Sequence, residues 1–296
     1  MTRPAPFERI PAHQGIVGDK LTVRRALPLR ARRTIGAWCF FDHAGPVAPG
    51  SGGMRVGPHP HIGLQTFTWM IEGELLHRDS LGTRQRISPA QVNLMTAGRG
   101  IAHSEESVDP ARGLHLAQLW IALPDAERHA DPAFAHYPDL PVASRGGFRM
   151  TLLVGNALGE RSPVAVHSPL LGIDLAAEGA ADLALPLEPA FEHGLMLLEG
   201  EGMVDDEPLA PGTLLYAPPG RSELRIGTSG PARALLLGGA PFAEPLVLWW
   251  NFVARTHDEI AEATRDWNER RRFGEVEGYD GPRLDAPDVS TLKLRA

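Results

Sequence analysis

The chain has 296 residues, of which 43% are hydrophobic and 22% charged, with a formal net charge of −7 and one cysteine. About twice the usual domain length, it is expected to form two domains or one duplicated fold, with ample core for a soluble globular protein. The acidic balance excludes generic nucleic-acid binding, which needs a basic surface to displace counterions from phosphates, and a single cysteine excludes an internal disulfide framework.

In chain order, residues 1–6 carry no apolar stretch behind Arg3, so no secretory signal is expected and the protein is placed in the cytoplasm. The basic cluster Arg24, Arg25, Arg30, Arg32 and Arg33 is interleaved with Leu21, Val23 and Ile35, which fits solvated strand and loop positions. Short apolar or alternating runs follow at residues 34–42, 65–71, 91–95, 114–123, 149–154, 195–199 and 232–237, bounded by Gly, Pro and Asp. They predict a mainly β sandwich or barrel of short strands, with Cys39 buried in the first. Residues 124–141, interrupted by four prolines, read as an interdomain connection. The apolar residues 245–250 are too few to cross a bilayer. Finally, Thr256 with Glu259 forms a capping box, and Ile260, Ala263, Thr264 and Trp267 share one helical face. Arg270, Arg271 and Arg272 then meet the negative end of that helix.

The chemistry lies in two short pairings, His59-Pro60-His61 and His103-Ser104-Glu105. Alternate residues of a strand share a face, so each pairing can aim two side chains at one point. Both follow Gly-rich stretches, Gly52, Gly53 and Gly57 before the first and Gly98 and Gly100 before the second, where a loop enters a strand. Three imidazoles and a carboxylate make a candidate site for Fe(II), Mn(II), Ni(II), Cu(II) or Zn(II).

A weak internal repeat supports duplication. Residues 70–74 resemble 197–201, and 89–99 resemble 211–221. Extended without gaps, these matches set Arg225 and Gly227 opposite His103 and Glu105, and Pro186 and Glu188 opposite His59 and His61. The second copy is therefore expected to lack the ligands.

These motifs resemble a known family. Gly53, His59 and His61 fit the first cupin-superfamily motif, and Gly100 with His103 fits the second. More specifically, residues 58–63, Glu72-Gly73, residues 77–82 and residues 95–105 are similar to the pirin family, as are Phe41-Asp42-His43 and Gln118-Leu119-Trp120. The likeness is strongest over residues 38–124 and recurs over 238–254. It implies two tandem cupin domains, each a jelly-roll β-barrel, with a short C-terminal helix: residues 1–135 binding metal, and residues 136–296 lacking ligands and carrying the helix. It implies His59, His61, His103 and Glu105 as ligands and Fe(II) as the native ion, with Mn, Ni, Cu and Zn as alternatives. The usual cupin first-motif glutamate is replaced by Gln65 or Thr66, and Glu105 supplies the carboxylate instead.

The activity implied is quercetin 2,3-dioxygenation, with a flavonol-like aromatic substrate and dioxygen as partners and Glu105 as the catalytic group that accepts the substrate hydroxyl proton. Two other classes stay open. One is an iron-dependent regulator acting through a protein partner, as a transcriptional co-regulator or modulator of a metabolic enzyme; the other is a cupin enzyme for another enol, diketone or phenol. No zinc-finger or helix-turn-helix pattern supports direct nucleic-acid reading. If alternation continues past His61, then Gln65, Phe67, Trp69 and Ile71 lie on the ligand face as pocket wall; otherwise they are ordinary core. His43, His77 and His115 are candidates for hydrogen bonds to ligands or substrate, or structural residues.

Overall fold

A computed structural model describes residues 6–18, 20–30 and 32–295; residues 1–5, on which most of the signal-peptide reading falls, lie outside the described residues. The chain forms two compact units that interleave along the sequence. One contains the described residues of 15–23, 44–138 and 243–295, the other those of 6–14, 24–43 and 139–242. This differs from a single cut between residues 135 and 136, because two segments pack far from their sequence neighbours. Trp38 donates its indole N–H to the carbonyls of Leu171 and Gly238, 3.3 and 3.1 Å away. Phe252, Ile260, Trp267 and Phe273 form a buried cluster with Ile62 and Ala102, so the C-terminal helix belongs to the unit that carries the histidines.

In the first unit eight strands build the site: β1 (Arg55–His61), β2 (Leu64–Glu72), β3 (Leu75–Asp79), β4 (Arg84–Ile87), β5 (Val92–Thr96), β6 (Ile101–Ser107), β7 (Leu114–Ala122) and β8 (Ala133–Tyr137). One sheet runs β1-β6-β3-β4, and the other contains β8-β5-β2-β7, all antiparallel. Met54, Val56, Met70, Leu75, Ile87, Leu114 and Leu116 fill the space between them. The segment 124–141 is more than a connector, since β8 lies within it and pairs with β5.

The other unit repeats the pattern with β9 (Phe148–Val154), β10 (Leu170–Ala177), β11 (Ala181–Pro186), β12 (Glu192–Glu199), β13 (Gly202–Val204), β14 (Glu207–Leu209), β15 (Thr213–Ala217), β16 (Glu223–Thr228) and β17 (Ala232–Gly239). The order β11-β16-β13-β14 matches β1-β6-β3-β4, and β15-β12-β17 matches β5-β2-β7, which is the duplication expected from the repeat. Its register needs correction. The interior of this barrel holds Leu183, Leu185, Leu187, Leu224 and Ile226, whereas Arg225 faces outward and pairs with Asp182. A gapless extension of the repeat therefore arrives one residue out, and in a strand one residue exchanges the two faces. Branched aliphatic side chains, rather than Arg225, Gly227, Pro186 and Glu188, occupy the inward places.

After β17 the chain forms the hairpin β18 (Val247–Trp249) and β19 (Phe252–Ala254), then α1 (His257–Asn268). The Thr256/Glu259 capping box is present and Ile260, Ala263, Thr264 and Trp267 are the buried residues of α1, as their spacing predicts. Arg271 and Arg272 beyond it engage Asp266, so a discrete carboxylate holds these arginines. No helix among the described residues is long and apolar enough to cross a membrane.

Candidate metal centre

His59 and His61 sit on β1, an edge strand, where Pro58 and Pro60 cost little because no ladder partner needs an N–H on the open side. Opposite them β6 presents His103 against His59; beyond that pair Glu105 lies against Val56, so Gly57 and Pro58 bulge against Ser104 alone. The bulge bends β1 where the histidines turn inward. His59, His61 and His103 have ring centroids 4.3 to 5.0 Å apart and are nearly or fully buried.

The protons on these rings follow from their partners. Nδ1 of His59 lies 2.9 Å from the Gly57 carbonyl oxygen, and Nδ1 of His61 lies 2.9 Å from that of Asn251. A carbonyl only accepts, so both rings carry the proton on Nδ1 and leave Nε2 as a lone pair. Nε2 of His61 and Nε2 of His103 are 3.1 Å apart. Burial pushes His59 down to about 4, against the pull of the Gly57 carbonyl, and with repulsion from neighbouring histidines holds His61 and His103 well below the usual histidine range. Neutral imidazoles whose ring nitrogens converge in a buried site fit a cation, the donor set expected of a transition-metal centre.

Ligand atoms of His59, His61 and His103 all lie within 4.8 Å of one another, and so do those of His77, His103 and Glu105. The structure thus brings the three sequence-predicted histidines together and places Glu105 beside His103, in a second group with His77. Burial raises the Glu105 carboxyl above its ordinary range, against the charge of His77 and a hydrogen bond from Thr68. His77 was one of three candidates for an outer role. The antiparallel register sets it opposite Glu105, and sets Asp79 opposite His103, so β3 shares the ligand face. The alternation of His77 and Asp79 is the sequence signal for this, but only pairing with β6 gives it a target. His43 and His115 are buried and belong to neither group.

The wall residues are also corrected. Thr68 is near Glu105, Trp120 packs edge-on to His61 with centroids 5.2 Å apart, and Trp120 pairs with Thr66, Gln118 with Thr68. The ligand face of β2 is therefore Thr66, Thr68 and Met70, and Phe67 and Trp69 are core residues of the opposite face. Gly63, at φ +67°, turns the chain between β1 and β2 and resets the alternation assumed to continue past His61. Sequence reasoning also missed Phe134, whose ring stacks on His77 at 4.5 Å, and the Asn251 carbonyl, which reaches His61 from 190 residues away.

Comparison with known proteins agrees with this fold. Residues 20–121 match the family model described as Pirin, and residues 172–274 that described as Pirin C-terminal cupin domain. A protein of Pseudomonas aeruginosa named "Putative quercetin 2,3-dioxygenase" is 53% identical over 96% of this chain and 90% of its own length. A pirin-like protein of Caulobacter vibrioides is 38% identical over 84% of this chain and 88% of its own. The crystal structure of quercetin 2,3-dioxygenase from Acinetobacter baumannii superposes with a TM-score of 0.94 at 49% identity, covering 98% of both chains.

Proposed function

Because the chain belongs to the pirin family and is built of two cupin domains, we propose that it is a metal-dependent dioxygenase acting on a flavonol such as quercetin. His59, His61, His103 and Glu105 are assigned as ligands of one divalent transition metal, Fe(II) in the native protein. The observation that carries this is the convergence of the ring nitrogens of three buried histidines on one point beside a carboxylate. The relatives named as quercetin dioxygenases supply the substrate class.

A bound Fe(II) supplies Lewis acidity and the redox chemistry by which a flavonolate reacts with dioxygen. The chain's own residues prepare that substrate. Glu105, raised by burial, is suited to take the proton of the flavonol hydroxyl at its carboxylate oxygen. Trp120 and Phe134 give the site aromatic neighbours.

The assignment is tested with Glu105→Gln and His61→Ala. Glu105→Gln keeps its metal, measured by elemental analysis, and loses quercetin turnover; unchanged turnover rules out Glu105 as the base. His61→Ala loses metal, and full metal content in that variant rules out the ligand set.

A further inference from the structure

The bulge at Gly57 and Pro58 is gripped on its open side by residues 279–286, which follow α1 in the chain. β6 pairs with β1 on either side of the bulge, at Val56 and His59, and sets only Ser104 against the two bulged residues. The Leu284 N–H supports them from the other side by donating to the Pro58 carbonyl at 2.8 Å. Next to it the Pro282 carbonyl presses on Gly57, where a Cβ would lie 2.5 Å from its oxygen. This close approach of backbone explains a glycine at position 57. Arg55 adds a hydrogen bond to the Asp280 carbonyl and sets its guanidinium 5.3 Å from the centre of the Tyr279 ring.

The same segment is anchored on α1. Asn268, the last residue of the helix, donates from Nδ2 to the Ala286 carbonyl at 3.1 Å and accepts the Ala286 N–H at Oδ1 at 3.0 Å. The Trp267 indole N–H donates to the Leu284 carbonyl at 2.7 Å. Leu284 thus bridges helix and bulge through the two ends of one residue. Ala286 and Val289 are sunk in the cluster of Phe252, Ile260 and Trp267. What the bulge supports is a ligand, since the Gly57 carbonyl lies 2.9 Å from the ring of His59.

We propose that residues 279–286 are a latch: seated, they pin the bulge that supports His59, and released, they loosen the hold on the metal. The proposal rests on the metal centre assigned above, and it makes Leu284 and Asn268 positioning residues outside the ligand set. Coupling between two sites is reciprocal, so a latch that strengthens metal binding is itself held more firmly when metal is bound. Packing that only stabilises the fold has no such selective link.

Ni(II) alone, titrated into the full chelator-stripped chain and competed with a chromogenic chelator, reads affinity and stoichiometry without any turnover. The wild type takes up one ion per chain. Asn268→Ala, which releases Ala286, weakens Ni(II) binding by roughly 5-fold or more, the lower end of typical coupling between sites. Gly57→Ala, whose Cβ displaces Pro282, weakens it by roughly 10- to 100-fold, as loss of a support for a ligating imidazole does. Hydrogen exchange of the wild type needs no variant to fold. Ni(II) is expected to slow exchange of the Leu284 and Ala286 amides and to leave unchanged that of Leu292, which bonds Val289 beyond the latch. Wild-type Ni(II) affinity in either variant, Leu284 and Ala286 amides indifferent to Ni(II), or equal slowing of all three amides would each overturn the proposal. A wild type that binds no Ni(II) would instead overturn the metal centre itself.

Discussion

The Asn251 carbonyl accepts the Nδ1 proton of His61 at 2.9 Å, so a hairpin near the C-terminus sets the tautomer of a histidine in the first barrel. The hairpin is seated by Val253, whose N–H reaches the Ile62 carbonyl at 3.2 Å beside a parallel bridge between Ile62 and Phe252. Ligand geometry and docking of the C-terminal segment are thereby one structural feature.

Gly63→Ala tests that coupling. A Cβ there would lie 2.1 Å from the Val253 carbonyl oxygen, on a residue whose φ of +67° already disfavours a side chain. The substitution is expected to cost about 2 kcal/mol or more in urea unfolding and to lower metal content by displacing the hairpin. Gly159→Ala is the control. It has a similar φ of +82° but open space around its Cβ position, so it should cost only about 1 kcal/mol and leave metal content unchanged.

Removing the capping hydroxyl in Thr256→Ala should destabilise by about 1 kcal/mol, because the Glu259 N–H loses its acceptor. The same change should lower protection of the first turn of α1 in hydrogen exchange. Unchanged stability and protection would mean that packing of Ile260 and Trp267 alone holds the helix.

His193 gives the second barrel a pH dependence. It is buried, neither ring nitrogen has a hydrogen-bond partner among the described residues, and burial, aided by the charge of Arg221 against that of Glu188, pushes it down to about 4. The unfolded chain, with histidine near about 6.5, binds this proton first. Its contribution is thus fully present above about pH 6.5 and is lost as pH falls toward 4, to the extent of about 3 kcal/mol. Urea unfolding of metal-free wild type and His193→Leu should diverge over that window. Parallel curves would show that His193 does not titrate differently on folding.

Much of this was legible in the residues. The turns, alternating runs and repeat gave two β-barrels, and Thr256 with Glu259 gave the helix start, because these signals are local. His59, His61 and His103 could be selected because i, i+2 spacing survives within one strand. What escaped depends on pairing or on a break in alternation. The reset at Gly63 moved Phe67 and Trp69 off the ligand face. The one-residue slip in the second copy put Leu224 and Ile226, rather than Arg225, inside. His77 gained its place only through the β3–β6 register, and Asn251 only through packing of residues far apart in the chain.

The most direct measurement is an anaerobic titration of the Fe(II)-loaded protein with quercetin, followed by admission of air. A shifted flavonol absorption band that disappears with oxygen, with about one carbon monoxide released per quercetin consumed, is the predicted result. Iron held at one ion per chain with no change in the flavonol band, and no carbon monoxide after air is admitted, would contradict it.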